Sequence, residues 1–177
     1  MLEEAIGKIR SGQMEGLSEA DDQWAPQINL GVPVLIPEEY VPDLDVRLGL
    51  YRRLSSLHSK VELEGFAAEL IDRFGPLPEE VEHLLKIVYI KALCRQANVE
   101  KLDAGPKGAV VQFRGQQFAD PAGLVQWIAE QGALAKIRPD QSVVFSRNWP
   151  TPEKRLAGAA VLMTKLANLA KAHKAAA

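Results

Sequence analysis

Four side chains have the chemistry for metal binding or nucleophilic attack: His58, His83, His173 and Cys94. The three histidines share no ligand spacing with one another or with the cysteine. His58 and His83 sit in polar stretches and read as solvated surface. Cys94 lies late in an apolar helical pattern, where a free cysteine is usually a small buried hydrophobe. A single cysteine also excludes an internal disulfide and a thiolate zinc cluster. Phosphate-loop spacing is absent, and Gly105-Pro106-Lys107-Gly108 is a turn whose proline opposes a cradle of amides. No G-x-S-x-G elbow occurs either. Trp24, Trp127 and Trp149 do not alternate with basic residues, so no stacking platform for single strands is indicated. Arg52-Arg53 and Lys171/Lys174 read as solvated charges. No catalytic, cofactor-binding or metal-ligating residue is assigned, and no cofactor is expected.

One charged pattern remains. Glu62, Gly65, Glu69 and Asp72 fall at i, i+3, i+7 and i+10, on one flank of a helix and off its apolar stripe. Three carboxylates on one flank repel one another unless cations meet them. Arg73 and Lys60 offer partial relief. The flank is therefore either an ordinary solvated face or a docking strip for arginines of a partner, with Gly65 allowing close backbone approach.

The elements that position this flank follow from periodicity. Leu2, Ala5, Ile6 and Ile9 suggest a short helix before Ser11-Gly12, and residues 13–26 read as a linker. Gln27–Leu30 and Val32–Ile36 read as short extended pieces. Three helices are then expected. The first covers about Asp43–Leu57 and carries Leu44, Leu48, Leu50, Tyr51, Leu54 and Leu57, an arc wide enough for burial on more than one side. Leu44, Leu48 and Leu54 are expected to point into a core. The second opens on the capping box Ser59-Lys60-Val61-Glu62. It carries Leu63, Phe66, Ala67, Leu70, Ile71 and Phe74 at helical spacing and stops at Gly75-Pro76. The third starts at Pro78, with Glu79 and Glu80 in its positive first turn, and runs to about Ala97.

The last third changes period. Val99–Leu102 and Ala109–Phe113 are strands joined at Gly105–Gly108. Asp120-Pro121 opens a helix ending at Gly132. Leu134–Ile137 and Ser142–Ser146 are two further strands, and Thr151-Pro152-Glu153 caps a final helix that frays over 173–177. The expected fold class is α+β, with a helical half followed by a small β-β-α-β-β sheet and a C-terminal helix. The chain has 177 residues, 21 Lys+Arg against 23 Asp+Glu, and a net charge of −2. That balance argues against direct nucleic-acid contact. No apolar run reaches the ~20 residues of a membrane span, and Met1–Arg10 is no signal peptide. A cytoplasmic protein is expected.

Two stretches are more specific. Ile28-Asn29-Leu30-Gly31-Val32-Pro33-Val34-Leu35-Ile36-Pro37-Glu38-Glu39-Tyr40-Val41-Pro42-Asp43, followed by Arg47-Leu48 and Leu50-Tyr51-Arg52-Arg53, resembles the opening signature of the C-terminal domain of bacterial transcription-repair coupling factors (Mfd). Glu69-Leu70-Ile71-Asp72-Arg73-Phe74-Gly75-Pro76-Leu77-Pro78 resembles that domain's second signature. The resemblance runs from about Trp24 to the C terminus, with the β-containing third matching in outline. Residues 1–12 resemble the end of the preceding translocase motor.

The resemblance implies a regulatory domain, 27–172, of an ATP-driven DNA translocase that displaces stalled RNA polymerase and recruits UvrA for nucleotide excision repair. In that family the domain folds back on an N-terminal module similar to the UvrA-binding part of UvrB and covers the surface UvrA needs. Acidic residues of the second signature would meet arginines of that module, and Glu69 and Asp72 are the matching positions. The alternatives are an independent α+β enzyme or ligand-binding domain, or a direct DNA-binding domain. Since the motor motifs are missing here, the isolated chain is expected neither to hydrolyse ATP nor to unwind DNA. Turnover above a protein-free control would contradict this.

Overall fold

The structure is a computed structural model that describes residues 24–176, with side chains through 172. The apolar spacing at Leu2–Ile9 and the linker up to residue 23 lie outside the described residues. The chain divides into two compact units: a helical unit, which includes Pro33–Tyr89, and a sheet unit, Pro26–Val32 with Ile90–Ala177.

The helical unit contains α1 (Leu44–Ser55), α2 (Lys60–Phe74) and the first part of α3 (Glu79–Gln96). Side-chain oxygens satisfy the free amides that open α1 and α2. Val46 N donates to Asp43 Oδ1 at 3.1 Å, and Glu62 N donates to Ser59 Oγ at 3.2 Å. Gly75 ends α2 at φ +95, a backbone that side chains disfavour, and its N–H bonds Ile71 O at 2.9 Å. The core is Ile36, Val41, Leu50, Leu54, Leu63, Phe66, Leu70, Val81, Leu84 and Val88.

This core corrects the expected orientation of α1. Leu50 and Leu54 are buried, but Leu48 is half-buried and Leu44 is 58% exposed. At about 100° per residue, Leu44 and Leu48 lie roughly 120–160° round from Leu50. The wide arc of leucines thus reflects one buried side plus two outliers. On α2, Ile71 likewise turns outward beside the buried Leu63, Phe66 and Leu70. His83 departs from its expected solvated position, with a side chain only 13% exposed and 3.8 Å from Glu79.

The sheet unit holds β1 (Gln27–Asn29), β2 (Val99–Gly105), β3 (Gly108–Phe113), β4 (Ala135–Ile137) and β5 (Val143–Ser146), in the order β1-β2-β3-β5-β4. The four strands after α3 pair antiparallel with one another as two hairpins, β2–β3 and β4–β5, which meet edge to edge between β3 and β5. The extended piece at Gln27 is an addition to the expected sheet. It returns as an edge strand parallel to β2, in register Ile28↔Leu102. Val32–Ile36 forms no strand. Gly108 takes φ +135 in the β2–β3 turn, where a Cβ would run into the Phe145 carbonyl.

Alternation along the strands puts Leu102, Ala109, Val111, Phe113, Val143 and Phe145 on one buried face. The helices α4 (Pro121–Gln131) and α5 (Pro152–Ala176) supply its cover, with the Trp127 ring 5.4 Å from Phe145. Asp120 caps α4 through Gly123 N at 3.0 Å, and Thr151 caps α5 through Lys154 N at 3.2 Å. Arg155 is buried and donates to Leu30 O at 2.8 Å, which ties the end of β1 to α5. Cys94 is fully buried, and that burial pushes its thiol up to about 12.

Burial orders the cost of truncation. Leu54→Ala is expected to destabilise the chain by about 2–5 kcal/mol in urea denaturation. Leu48→Ala, which removes a half-exposed side chain, should cost clearly less. The reverse order would show that α1 is rotated from this orientation.

Candidate functional site

The acidic flank of α2 separates into two pairs of residues. At about 100° per residue, Gly65 and Asp72 share the outermost arc with Val61, which is 77% exposed. Both Gly65 and Asp72 are exposed, and a Cβ built on Gly65 would meet nothing within 4 Å. Glu62 and Glu69 lie further round the helix. Glu62 is engaged in the capping box, where its Oε1 accepts from Ser59 Oγ at 3.0 Å and from His58 N at 3.4 Å.

Glu69 is engaged more firmly. The Arg53 guanidinium forks onto it from α1, with Nη1 2.5 Å from Oε2 and Nη2 2.8 Å from Oε1. Arg73, one turn further along α2, adds a bond of 3.1 Å to the same Oε2. Each guanidinium also covers a ring: Arg53 lies 4.9 Å from the centre of Phe66, and Arg73 lies 4.9 Å from that of Phe74. Bidentate charge-assisted bonds favour the ionised carboxylate. The Arg53 fork, with Arg73 second, holds Glu69 down at about 2. The same bond raises Arg53. Arg53 is therefore not the solvated charge its doublet with Arg52 suggests. It joins α1 to α2 and sets the direction of the Glu69 carboxylate.

The second anchor of α2 is Tyr40. Its hydroxyl lies 2.7 Å from the Gly75 carbonyl, which has no helical amide to satisfy it, and shares its proton with the Leu70 carbonyl at 3.1 Å. Its ring tilts against Phe74, with centroids 5.7 Å apart. Burial raises the phenol above its ordinary value. Tyr51 Oη in turn accepts from Ile36 N at 2.7 Å, and Arg47 donates to Val41 O at 2.8 Å and Pro42 O at 3.1 Å. These bonds make Tyr40 and Tyr51 architectural residues of the first signature stretch. Their partners lie 15 to 35 residues away in sequence, so no local pattern announces them.

What the arrangement offers chemically is recognition. Glu69 presents an oriented carboxylate already inside a cation cluster, Asp72 presents an exposed one beside it, and Gly65 leaves the helix backbone approachable between them and Glu62.

The Glu69 fork has a pH signature. Its folded value is depressed below the ordinary 4.5. Its contribution is therefore complete above about pH 5 and is lost as the pH falls towards 2. Glu69→Gln should lower the melting temperature slightly at neutral pH, because the pair is solvent-screened. It should also flatten the acid limb of the melting curve in that window. Identical acid limbs for the two proteins would show that Glu69 is not held by Arg53 in solution.

Comparison with known proteins identifies the family. The model of the TRCF domain matches residues 30–124. The transcription-repair-coupling factor of Rickettsia bellii (strain RML369-C) is 42% identical over 146 residues, 82% of this chain and 12% of that protein. The factor of Escherichia coli (strain K12) is 32% identical over 131 residues, 74% of this chain and 11% of that protein. The chain thus spans about an eighth of the length of these relatives. A crystal structure of the C-terminal domain of transcription-repair coupling factor superposes with a TM-score of 0.67 at 19% identity, over 84% of this chain and 95% of that one. That match speaks for the fold. With the first signature from Leu30 onward and all of the second inside the matched span, the chain belongs to the transcription-repair-coupling factor family and carries its TRCF domain.

Proposed function

We propose that this chain is a regulatory, autoinhibitory domain whose α2 face docks on an N-terminal UvrB-like module of the same parent protein. The contact masks the UvrA-binding surface until the motor engages stalled RNA polymerase. The observation that carries the reading is the outer face of α2. It places exposed Asp72 and open Gly65 next to a Glu69 carboxylate whose direction the Arg53 fork has set. The charge of the helical unit supports it. Pro33–Tyr89 carries 6 Lys+Arg against 11 Asp+Glu, a net −5 that favours a cationic partner.

In this scheme the chain performs no chemistry. It shifts the population of the parent protein towards a closed form by binding that form alone. Tethering raises the effective concentration of the partner, so a small polar contact suffices. Arginines of the module would reach Asp72 directly and join Glu69 on the side left open by Arg53 and Arg73. Glu62 keeps its capping role and lies at the edge of the strip.

Asp72 allows a clean test, because it is exposed and lies off the core stripe. In the full-length parent, Asp72→Lys should raise UvrA affinity in the absence of DNA and polymerase, with an unchanged melting temperature. In parallel, the purified N-terminal module should capture the wild-type chain and lose the Asp72→Lys variant. Wild-type UvrA affinity together with undiminished capture would remove Asp72 from the masking contact and overturn the reading.

A further inference from the structure

We propose that the solvent face of α5 in the sheet unit binds the phosphate backbone of duplex DNA. The whole-chain balance of −2, which argues against nucleic acid, hides a basic sheet unit, because the rest of the chain carries 8 Lys+Arg against 17 Asp+Glu, a net −9. The sheet unit carries 13 Lys+Arg against 6 Asp+Glu, a net charge of +7 with histidine neutral. A charge of that size on one compact body is the electrostatic footprint of a polyanion partner.

The charge has a definite location. Along α5 the buried residues Leu156, Ala159, Ala160, Leu162, Met163, Leu166, Ala167 and Ala170 occupy the side turned to the sheet unit's core. The opposite arc exposes Lys154, Ala157, Val161, Lys165, Asn168 and Lys171. Glu153, in the first turn, is the single acidic residue of the helix. Helix electrostatics account for Lys165 and Lys171, since cations are favoured towards a helix C-terminus. They do not account for Lys154, which stands in the positive first turn. Arg155 beside it is committed to Leu30 O, whereas Lys154 points its charge at solvent.

The chemistry of this face fits phosphates better than a protein partner. A specific protein interface is centred on buried aromatic or large apolar anchors, and here the one large apolar side chain is Val161, 72% exposed. The other intervening residues are small or neutral, so a backbone of phosphates approaches the lysines unobstructed. At about 1.5 Å of rise per residue, the three lysines span roughly 25 Å. Duplex DNA carries a charge about every 1.7 Å of its axis, so lysines strung along a rod each meet a phosphate without a shaped pocket. Such contacts carry no sequence preference.

The test uses the 177-residue chain and a fluorescently labelled duplex of mixed sequence, titrated at several salt concentrations. The wild-type chain should bind at low salt, with log affinity falling against log salt at a slope of about −3. Replacing Lys154, Lys165 and Lys171 with Gln should weaken binding at low salt at least about tenfold and flatten the slope by roughly 2–3, with helix content by circular dichroism unchanged. If the triple variant fails to fold, Lys154→Gln with Lys165→Gln should still flatten the slope by about 2. No salt-dependent binding by the wild-type chain would overturn the proposal. So would a wild-type slope in the folded variants. Polyglutamate competing as well as the duplex would also overturn it, because the face would then answer to acidic polypeptides. The masking contact on α2 involves none of these lysines, so either reading can fail alone.

Discussion

The Tyr40 hydroxyl closes the C-terminal end of α2, and the helical unit depends on that closure. The last carbonyls of a helix have no intrahelical donor. Gly75 turns the chain with its positive φ, and the phenol then reaches Gly75 O and Leu70 O from a segment that precedes α1. Tyr40 itself is placed by the turn from Pro37, whose carbonyl accepts from Tyr40 N and Val41 N. The neighbouring chain is fixed by Tyr51 on Ile36 N and Arg47 on Val41 O. With both ends of α2 anchored by Ser59 and Tyr40, the Arg53 fork adds orientation. In water an exposed ion pair adds little to stability. It nevertheless restricts where the Glu69 carboxylate points, and recognition depends on that direction.

The two signature stretches therefore meet in space. Tyr40 and Arg53 come from the first, and Leu70, Glu69 and Gly75 from the second. Each stretch satisfies polar groups the other leaves open, which gives a structural reason for the pair to occur in one chain. It also divides the acidic flank into residues with internal duties and residues without them. A motif that resembles a docking strip can thus be mostly architecture, and only the residues left over are free to meet a partner. On the acidic flank those are Gly65 and Asp72, while Glu69 could meet a partner only in addition to its arginines.

The signals visible in the sequence were those whose physics is local. Ser59 with Glu62, Asp120 before Pro121, Thr151 before Pro152, and Gly75 before Pro76 announced helix ends because caps act within one turn. The β2–β3 turn was visible for the same reason. The parallel pairing of β1 with β2 was not, because it joins Ile28 to Leu102 across the whole helical unit, and main-chain pairing leaves no mark on side-chain type. Leu44 and Leu48 misled because six large apolar residues on a helix do not say which of them meets a neighbour. Arg53 misled because a doublet of arginines looks solvated until the helix carrying Glu69 lies alongside. Arg155 was missed because its acceptor, Leu30 O, is a backbone atom far away in sequence.

The opposite charges of the two units bear on the regulatory role proposed for the chain. A net −5 over Pro33–Tyr89 and +7 on the sheet unit suit partners of opposite sign. The exposed faces of α2 and α5 carry no aromatic anchor: Val61 and Ile71 are the large apolar residues exposed on α2, and Val161 is the one exposed on α5. Contacts made by such faces are electrostatic, fast to form and sensitive to screening. On the proposed readings each contact would be weak between free molecules and would gain strength from a tether that holds the partners close. Weakness of this kind suits a switch, because a contact that must open in response to a distant event cannot be bound as tightly as a core. The apolar interior around Leu54, Phe66 and Leu70 keeps the fold intact, and the surface charges are left free to exchange one partner for another.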